Sequence, residues 1–393
     1  MSKSLALLVA VLAIHVPGCL AGEVPTDDGT DGDDGVEPEI ASNAHAIDIG
    51  FNDGHVEEFD YYADFFNASA IHPGPRLCHA YFGWNVGLQA PGAGSVTDQG
   101  ARAYVDNWFA KAQGHCDDAL ISFQTYSHGN PPSTADYAHA FDEFARTNWA
   151  AEAGFTGRLS FTPWNEPNNG ADSGNGLGAP IDARLAARYY LAAERSCRQH
   201  GCTVAAGDFA SNGNMWNDFE WNCANDNVAP SQLCKQKSSA NPGGKPSSYL
   251  DRYKNEIVDR TSEFGLPASF RPQAFAYHGW HDSNEYLDAA SHCATYGDCA
   301  LRRVLRALGG SWGSVAIWNT EDGIGQTTEP SDDEQACGAA FMLRLMTVTN
   351  RVQRLYITRL HGGGGQLLVG HTPRPAMEVL AKRELHYAGS TCR

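Results

Sequence analysis

Short hydrophobic runs alternate along residues 44–388 with longer stretches in which apolar residues recur every three or four positions. The short runs have the length and the content of β-branched and aromatic residues that buried strands favour. The longer stretches are typical of amphipathic helices. Eight strands are predicted: Ala44 to Phe51, Leu77 to Trp84, Ala119 to Gln124, Leu159 to Trp164, Thr203 to Gly207, Ala274 to His278, Val315 to Thr320 and Arg354 to Thr358.

Capping residues mark the ends of several helices. Gly114 and Gly201 each follow an amphipathic stretch, and glycine commonly ends a helix. Ser331 and Glu334 have the spacing of a capping box, and Pro375 suits a first helical turn. The predicted helices are Asp98 to Gln113, Ser133 to Ala150, Asp182 to His200, Ser248 to Phe264, Ser331 to about Asn350 and one from Pro375, with less regular patterns at Val56 to Phe66 and Ala300 to Leu308.

This alternation of strands and helices indicates a parallel sheet. Eight such units predict an α/β fold, the (β/α)8 TIM barrel. The alternative is a doubly wound open sheet, but the glycine-rich phosphate loop that usually follows its first strand is missing. The long segment from Asp208 to Pro246 follows the fifth strand, so a barrel would place it at the C-terminal face, where active sites lie.

Residues 1–22 have the pattern of a secretory signal peptide, because Lys3 precedes an apolar stretch too short to span a bilayer. The sequence Val16-Pro17-Gly18-Cys19 resembles the lipobox of bacterial lipoproteins, which makes Cys19 the candidate for lipidation; cleavage after Ala21 is the competing interpretation. Residues 23–42 are rich in acidic residues and predict a disordered tether. We therefore expect residues 43–393 to be an exported domain, anchored as a cell-surface or outer-membrane lipoprotein or else secreted.

Composition narrows the choice of partner and compartment. The formal net charge is −18, with 28 basic and 46 acidic residues, which argues against nucleic acid as a partner. If Cys19 is lipidated, ten of the 11 cysteines remain, and an even number in an exported chain favours disulfides. The expected pairs are Cys197 with Cys202, Cys223 with Cys234, Cys293 with Cys299, Cys78 with Cys116 and, by elimination, Cys337 with Cys392.

Two glutamates stand at the ends of predicted strands four and seven. Glu166 lies in Trp164-Asn165-Glu166-Pro167, and Glu321 follows Trp318-Asn319-Thr320. Asn-Glu-Pro after a hydrophobic fourth strand resembles the acid/base signature of the clan A glycoside hydrolases, retaining enzymes on (β/α)8 barrels whose nucleophile is a glutamate that closes the seventh strand. The resemblance covers about residues 44 to 388 and rests on these two motifs. It implies Glu166 as acid/base, Glu321 as nucleophile and Asn165 as a hydrogen-bond partner of the sugar 2-hydroxyl.

The same pair makes chemical sense without the family. Hydrolysis of an acetal requires a proton donor for the leaving oxygen and an anion that faces the oxocarbenium-like carbon. If the strands persist, Thr162, Trp164 and Glu166 share one face. Ile317, Asn319 and Glu321 do the same, while Asp322 points away. Apolar neighbours such as Trp164 should keep Glu166 partly neutral, and Glu321 should stay ionised. A carboxyl separation of about 5 to 5.5 Å indicates retention, which the resemblance implies.

Further residues near the predicted strand ends are candidates for substrate binding. By resemblance, an aromatic residue or a histidine after the sixth strand orients the nucleophile, so Tyr277, His278 and Trp280 are candidates. Flat rings in this region suit sugar stacking, and Gln124 and Asp208 could hydrogen-bond hydroxyls. The substrate-binding candidates are Asn165, Trp84, Gln124, Tyr126, Asp208, Tyr277, His278, Trp280 and His361, with Trp216 and Trp221 as further stacking candidates.

Two features depart from the clan pattern. The second strand ends Tyr81-Phe82-Gly83-Trp84, without the arginine that supports the nucleophile in several families. The eighth strand does not end in the tryptophan that many members place under the catalytic subsite. These departures leave the particular family and the sugar open.

The sequence therefore predicts an exported retaining glycoside hydrolase that acts on a β-linked oligo- or polysaccharide, with neither cofactor nor metal and no contact with a membrane except a lipid anchor. One alternative is a carbohydrate-binding barrel without turnover. The other is a metal-dependent hydrolase that uses His278 and His281, with Asp282 and Asp208 nearby.

Overall fold

The computed structural model describes residues 47–52, 55–68, 74–125, 131–147, 154–168, 181–211, 219–222, 235–238, 248–280, 282–283, 299–325, 330–358, 360, 365–388 and 392. The predicted signal peptide, Cys19 and the acidic tether lie outside these residues. None of the helices within the described ranges combines the length and the apolar composition that crossing a membrane requires.

The strands form a parallel barrel and two separate two-stranded antiparallel sheets. They are β1 (Asp48–Phe51), β2 (Leu77–Gly83), β3 (Asp118–Gln124), β4 (Arg158–Thr162), β5 (Thr203–Val204), β6 (Ala206–Ala210), β7 (Phe219–Asn222), β8 (Lys235–Ser238), β9 (Ala274–His278), β10 (Ala316–Asp322), β11 (Val352–Ile357), β12 (Leu368–Val369) and β13 (Thr372–Pro373). The order in the barrel sheet is β5-β4-β3-β2-β1-β11-β10-β9-β6. The antiparallel pairs are β7 with β8 and β12 with β13.

The fifth barrel strand is split between two neighbours. Its first part, β5, pairs with β4, and its second part, β6, pairs with β9. Between them the Ala205 N–H donates to the Phe161 carbonyl at 2.9 Å. The nine strand segments thus make one eight-stranded barrel, which confirms the predicted (β/α)8 TIM barrel.

The helices cover the outside of the barrel. They are α1 (Phe59–Ala68), α2 (Arg102–Ala112), α3 (Thr134–Arg146), α4 (Ala183–His200), α5 (Tyr249–Arg260), α6 (Ala300–Ala307), α7 (Asp332–Met346) and α8 (Pro375–Lys382). The predicted capping box of Ser331 and Glu334 is confirmed at the start of α7. Gly201 ends α4 with φ of 77°, a backbone conformation that glycine adopts without strain.

The N-terminal end of the barrel interior is closed by an ion pair. Arg354, near the start of β11, donates to Asp118 at 2.8 Å, and its guanidinium lies 4.0 Å from the ring centroid of Trp318. A small apolar cluster fills the interior next to them, and it consists of Leu77, Leu120, Ala205, Ala274, Ala276, Ala316, Trp318 and Tyr356. Because the ion pair and the apolar cluster fill the N-terminal part of the interior, polar side chains occupy the C-terminal end. This is the end where TIM barrels carry their active sites.

Three of the predicted disulfides are present in the described residues: Cys78 with Cys116, Cys197 with Cys202 and Cys337 with Cys392. Cys299 is also disulfide-bonded, but its predicted partner Cys293 and the predicted pair of Cys223 and Cys234 lie outside the described residues. The confirmed pairs fit a chain that folds in an oxidising compartment.

Candidate active site

Glu166 is reached by an irregular turn rather than by a continued strand. Strand β4 ends at Thr162, and Trp164 packs outward against Tyr189 of α4, with ring centroids 5.2 Å apart. The prediction that Thr162, Trp164 and Glu166 share one face is therefore wrong. Glu166 has φ of 42°, and its backbone N–H donates to the Asp208 carbonyl at 2.9 Å.

Glu321 reaches the site because strand β10 is irregular near its end. Its register against β9 shifts after Asn319, so the alternation of faces is broken. Ile317 is fully buried in the hydrophobic layer between sheet and helices, whereas the Thr320 hydroxyl points into the barrel and donates to Asp208 at 2.6 Å. The prediction that Ile317 and Glu321 share a face is therefore wrong, although Glu321 itself lies at the barrel mouth.

The two glutamates meet at His278, the last residue of β9. One carboxylate oxygen of Glu166, one of Glu321 and a ring nitrogen of His278 all lie within 4.8 Å of one another. Nδ1 of His278 is 2.9 Å from Oε1 of Glu166 and 3.6 Å from Oε2 of Glu321. The side chains of Glu166 and Glu321 are 13% and 15% exposed, while that of His278 is fully buried. The carboxylates of Glu166 and Glu321 thus face one small space at the barrel mouth, and the imidazole of His278 is buried beneath them.

A buried hydrogen-bond network supports His278 from below. Asp208 Oδ1 lies 3.3 Å from Nε2 of His278 and accepts from Thr320 Oγ1. Its Oδ2 accepts from Ser122 Oγ at 2.8 Å and from Thr162 Oγ1 at 2.6 Å. Burial raises the pKa of Asp208, but the hydrogen bond and charge of His278 outweigh it and lower that pKa to about 2. Asp208 is therefore a carboxylate within the barrel.

The position of Asp208 corrects one prediction. The sequence predicted that its carboxylate hydrogen-bonds substrate hydroxyls. The side chain has no exposed surface, and both of its oxygens are already bonded within the barrel. Asp208 does not reach the space between the glutamates, because a bulge in β6 turns it inward.

Neutral donors hold both oxygens of Glu321. Tyr81 of β2 donates its hydroxyl proton to Oε1, and the indole Nε1 of Trp280 donates to Oε2 at 2.9 Å. Asn52 Nδ2 donates to the Tyr81 hydroxyl oxygen at 2.6 Å. Burial raises the pKa of Glu321, and this outweighs His278, Tyr81 and Trp280, which lower it.

Sequence reasoning missed Tyr81 and Asn52. The second strand does not end in an arginine, and Tyr81 on that strand is the donor to Glu321. Tyr81 and His79 are two positions apart, so both lie on the inward face of a barrel strand. The sequence therefore contained a signal that Tyr81 faces the barrel interior. The sequence does not indicate the position along the barrel axis of the Tyr81 hydroxyl, and so does not predict its contact with Glu321.

Replacing Tyr81 by phenylalanine tests this contact. Loss of a hydrogen bond to a charged group costs about 1.5 to 3 kcal/mol, so we expect kcat of a reaction that uses Glu321 to fall by about 10- to 100-fold. Initial-rate kinetics would measure the change. The matched control is Tyr356→Phe, since Tyr356 lies inside the barrel beside Arg354, and it should keep kcat near the wild-type value. A wild-type kcat in Tyr81→Phe would contradict a role for this donor.

The other predicted residues either lie near the barrel mouth, face away from the glutamates or fall outside the described residues. Asn165 is buried, and its Nδ2 donates to Oε1 of Gln124 at 3.0 Å, while its Oδ1 has no hydrogen-bond partner among the described residues. Trp84 is half-buried directly after β2. Tyr277 is fully buried in the layer between sheet and helices, on the opposite face of β9 from His278, so the structure does not bring it to the glutamates. Tyr126, Trp216 and His361 lie outside the described residues, as do the side-chain contacts of Trp221.

Of the residues considered as metal ligands, His278 and Asp208 contact each other at 3.3 Å, whereas Asp282 is bonded elsewhere. Asp282 accepts backbone N–H groups of Ala300 and Leu301 at the start of α6, and Nε2 of His278 faces Asp208. His281 lies outside the described residues. Within the described ranges, the spacing of metal ligands is found for Glu166, His278 and Glu321.

The chain matches no protein-family model and no curated protein. Among solved structures, it is similar to a GH5_18 protein from Streptomyces cattleya in complex with Manb1-4GlcNAc, with a TM-score of 0.50, 12% identity, and coverage of 88% of this chain and 83% of that chain. It is also similar to ZgEngAGH5_4 in complex with a cellotriose, with a TM-score of 0.50, 11% identity, and coverage of 88% and 98%. These similarities show that the chain has the (β/α)8 fold of GH5 glycoside hydrolases.

Proposed function

We propose that the chain is an exported retaining glycoside hydrolase that cleaves the O-glycosidic bonds of a β-linked glycan, with Glu166 as acid/base and Glu321 as nucleophile. The observation that carries the proposal is the approach of the two carboxylates at the barrel mouth, with oxygens within 4.8 Å. Carboxyl groups about 5 to 5.5 Å apart leave no room for a water between carboxylate and sugar, which is the arrangement of retaining enzymes.

The hydrogen bonds of the two glutamates support different roles. Both oxygens of Glu321 accept hydrogen bonds, from Tyr81 and Trp280. Burial raises the pKa of Glu321, and both donors oppose that rise because a proton on Glu321 would compete with them. They therefore favour the anion that attacks the anomeric carbon. Glu166 would give a proton to the leaving oxygen and take one from the water that hydrolyses the glycosyl-enzyme.

The environment of the site supports a glycan as the substrate. Asn165 adjoins Glu166 and has a buried carbonyl oxygen without a partner among the described residues, which suits a sugar hydroxyl. Trp280 lines the site beside Glu321, and Trp84 stands at the end of β2, where an indole ring can stack on a sugar face. The two GH5 structures hold Manb1-4GlcNAc and cellotriose, and we propose a related β-linked substrate for this chain.

Export rests on the signal-peptide pattern and on the disulfides. We propose that Cys19 is lipidated and that residues 23–42 tether the catalytic domain to the cell surface. Metabolic labelling with a fatty-acid analogue would test this, because Cys19→Ala should lose the label and appear in the medium. Labelling that persists in Cys19→Ala would contradict the proposal.

The stereochemistry of the product tests the proposed function. The purified protein is assayed on aryl β-glycosides and β-linked polysaccharides, and proton NMR follows the first-formed anomer of the product. We expect the β-anomer first, which then mutarotates. The α-anomer first would contradict retention. Binding without turnover would support the carbohydrate-binding alternative, and activity that EDTA abolishes and zinc restores would support the metal-dependent one.

A further inference from the structure

His278 lies between two carboxyl groups, and its neutral form can donate to only one of them. Its Nε2 faces Asp208, and its Nδ1 faces Oε1 of Glu166. A neutral imidazole carries one N–H and one lone pair, so whenever Glu166 is ionised one nitrogen would present its lone pair to an anionic oxygen. With both nitrogens protonated, the ring donates to both carboxylates and carries a positive charge.

Asp208 is held as an anion by more than His278. The hydroxyls of Ser122, Thr162 and Thr320, on three different strands, all donate to its two oxygens. Hydrogen bonds of this kind stabilise the charged form of a buried carboxyl. The side chain has no exposed surface, so water does not screen its effect on His278.

Asp208 also fixes the backbone of Glu166. Asp208 and Glu166 are both non-glycine residues in the left-handed region, with φ of 75° and 42°. Such conformations persist only where the surrounding structure holds them. Here the Glu166 N–H donates to the Asp208 carbonyl at 2.9 Å. The side chains of the two residues are also linked, because His278 lies between them.

We propose that Asp208 is a positioning residue for both glutamates, because its buried carboxylate keeps His278 as an imidazolium that holds Oε1 of Glu166 and faces Oε2 of Glu321. The imidazolium thereby supplies, from the sixth barrel strand, a fixed positive charge at the site. This inference deepens the proposed function and rests on it.

Several charged or titratable groups face His278, and their balance agrees with the inference. They are Glu166 after β4, Asp208 on β6, Glu321 and Asp322 on β10 and His79 on β2. Burial lowers the pKa of His278, but Glu321, Asp208 and Glu166 together raise it well above its usual range. His79 does not compete as a cation, because burial lowers its pKa to about 4.

The test is Asp208→Asn, with pH–rate profiles of kcat/KM measured on one aryl glycoside. Asparagine keeps the shape but removes the charge that holds the second proton on His278. Without the imidazolium, both glutamates take up protons at higher pH, so both limbs of the profile should move to higher pH. At the wild-type optimum, kcat/KM should fall by about 10- to 100-fold, the equivalent of one charge-assisted hydrogen bond. A purely structural role would lower the rate at every pH without moving the limbs, and that result would overturn the inference.

Asp118→Asn is the matched control. Asp118 is an equally buried carboxylate at the opposite end of the barrel, where Ser160 and Arg354 donate to it. Its replacement should lower thermal stability and leave both limbs of the profile in place. If Asp118→Asn moves the limbs as Asp208→Asn does, the shift reflects general destabilisation, and the inference is overturned.

A measurement without turnover separates this inference from the proposed function. Nitrogen-15 NMR of the histidine rings, with His278 assigned through His278→Gln, should show both ring nitrogens protonated in the wild-type protein at neutral pH. In Asp208→Asn the ring should lose its second proton at lower pH. A singly protonated wild-type ring would overturn the inference even if Asp208→Asn does not fold. If the ring is doubly protonated but the protein does not hydrolyse glycosides, the proposed function is contradicted. The inferred charge state of His278 is then still supported.

Discussion

Glu321→Gln is expected to lower kcat on the order of 10⁶-fold, the scale of losing the nucleophile in a hydrolase with a covalent intermediate. The glutamine amide has the shape of the carboxylate but cannot form the glycosyl-enzyme. Tyr81 and Trp280 would also lose an anionic acceptor. Steady-state rates on an activated aryl β-glycoside would measure the loss, and the melting temperature would show that the barrel remains folded.

A second variant distinguishes the role of Glu321 from simple loss of structure. Glu321→Ala opens space beside Tyr81, and added azide should attack the sugar from the side that Glu321 occupies. The product would then be the α-glycosyl azide. The control is Glu194→Gln, since Glu194 is a buried carboxylate on α4 that pairs with Arg198, and it should keep wild-type kcat. Near-wild-type turnover by Glu321→Gln would end the assignment of the nucleophile.

Glu166→Gln is expected to have an effect that depends on the leaving group. A general acid contributes about 10²- to 10⁴-fold, so kcat/KM for natural glycans and for poor leaving groups should fall by that factor. A dinitrophenyl glycoside departs without a proton, so the first step on that substrate should be almost unchanged. Pre-steady-state kinetics would then show a burst of dinitrophenol followed by slow turnover, since the second step still needs a base.

The contrast between the two substrates is the critical result. If Glu166→Gln slows the dinitrophenyl and the poor-leaving-group substrates equally, Glu166 is not the proton donor. Azide should restore turnover of Glu166→Ala and give the β-glycosyl azide, because azide needs no base. The α-azide would assign Glu166 to the other face of the sugar and exchange the two roles.

The architecture could be predicted from the sequence because it depends on repeated local patterns. Each of the eight predicted strands overlaps an observed barrel strand, and the capping box at Ser331 and the stop at Gly201 are where the sequence placed them. Side chains in parallel strands bury on both faces, so hydrophobic runs identify them well. The C-terminal location of Glu166 and Glu321 follows directly from counting strands.

The contacts within the candidate site could not be predicted in the same way. Strict alternation failed at Trp164 and at Ile317, because β4 ends early and β10 shifts register. Tertiary contacts determine irregularities of this kind, and the neighbouring residues in the sequence do not predict them. Asp208 was placed in the substrate site for the same reason, since the bulge at Gly207 turns it inward. Tyr81 was missed because its partner lies 240 positions away along the chain.

The seam of the barrel passes between the two strands that carry Glu166 and Asp208. Strand β5 pairs with β4 over only two residues. Beyond it, the backbone amides of Ala205 and Glu166 and a reciprocal pair of hydrogen bonds between Asn168 and Ala210 close the ring. Amide hydrogen exchange at Ala205 and Glu166 therefore monitors how often the ring opens. Because each opening would separate Glu166 from Asp208, the lifetime of the intact ring sets an upper bound on how long the active geometry lasts.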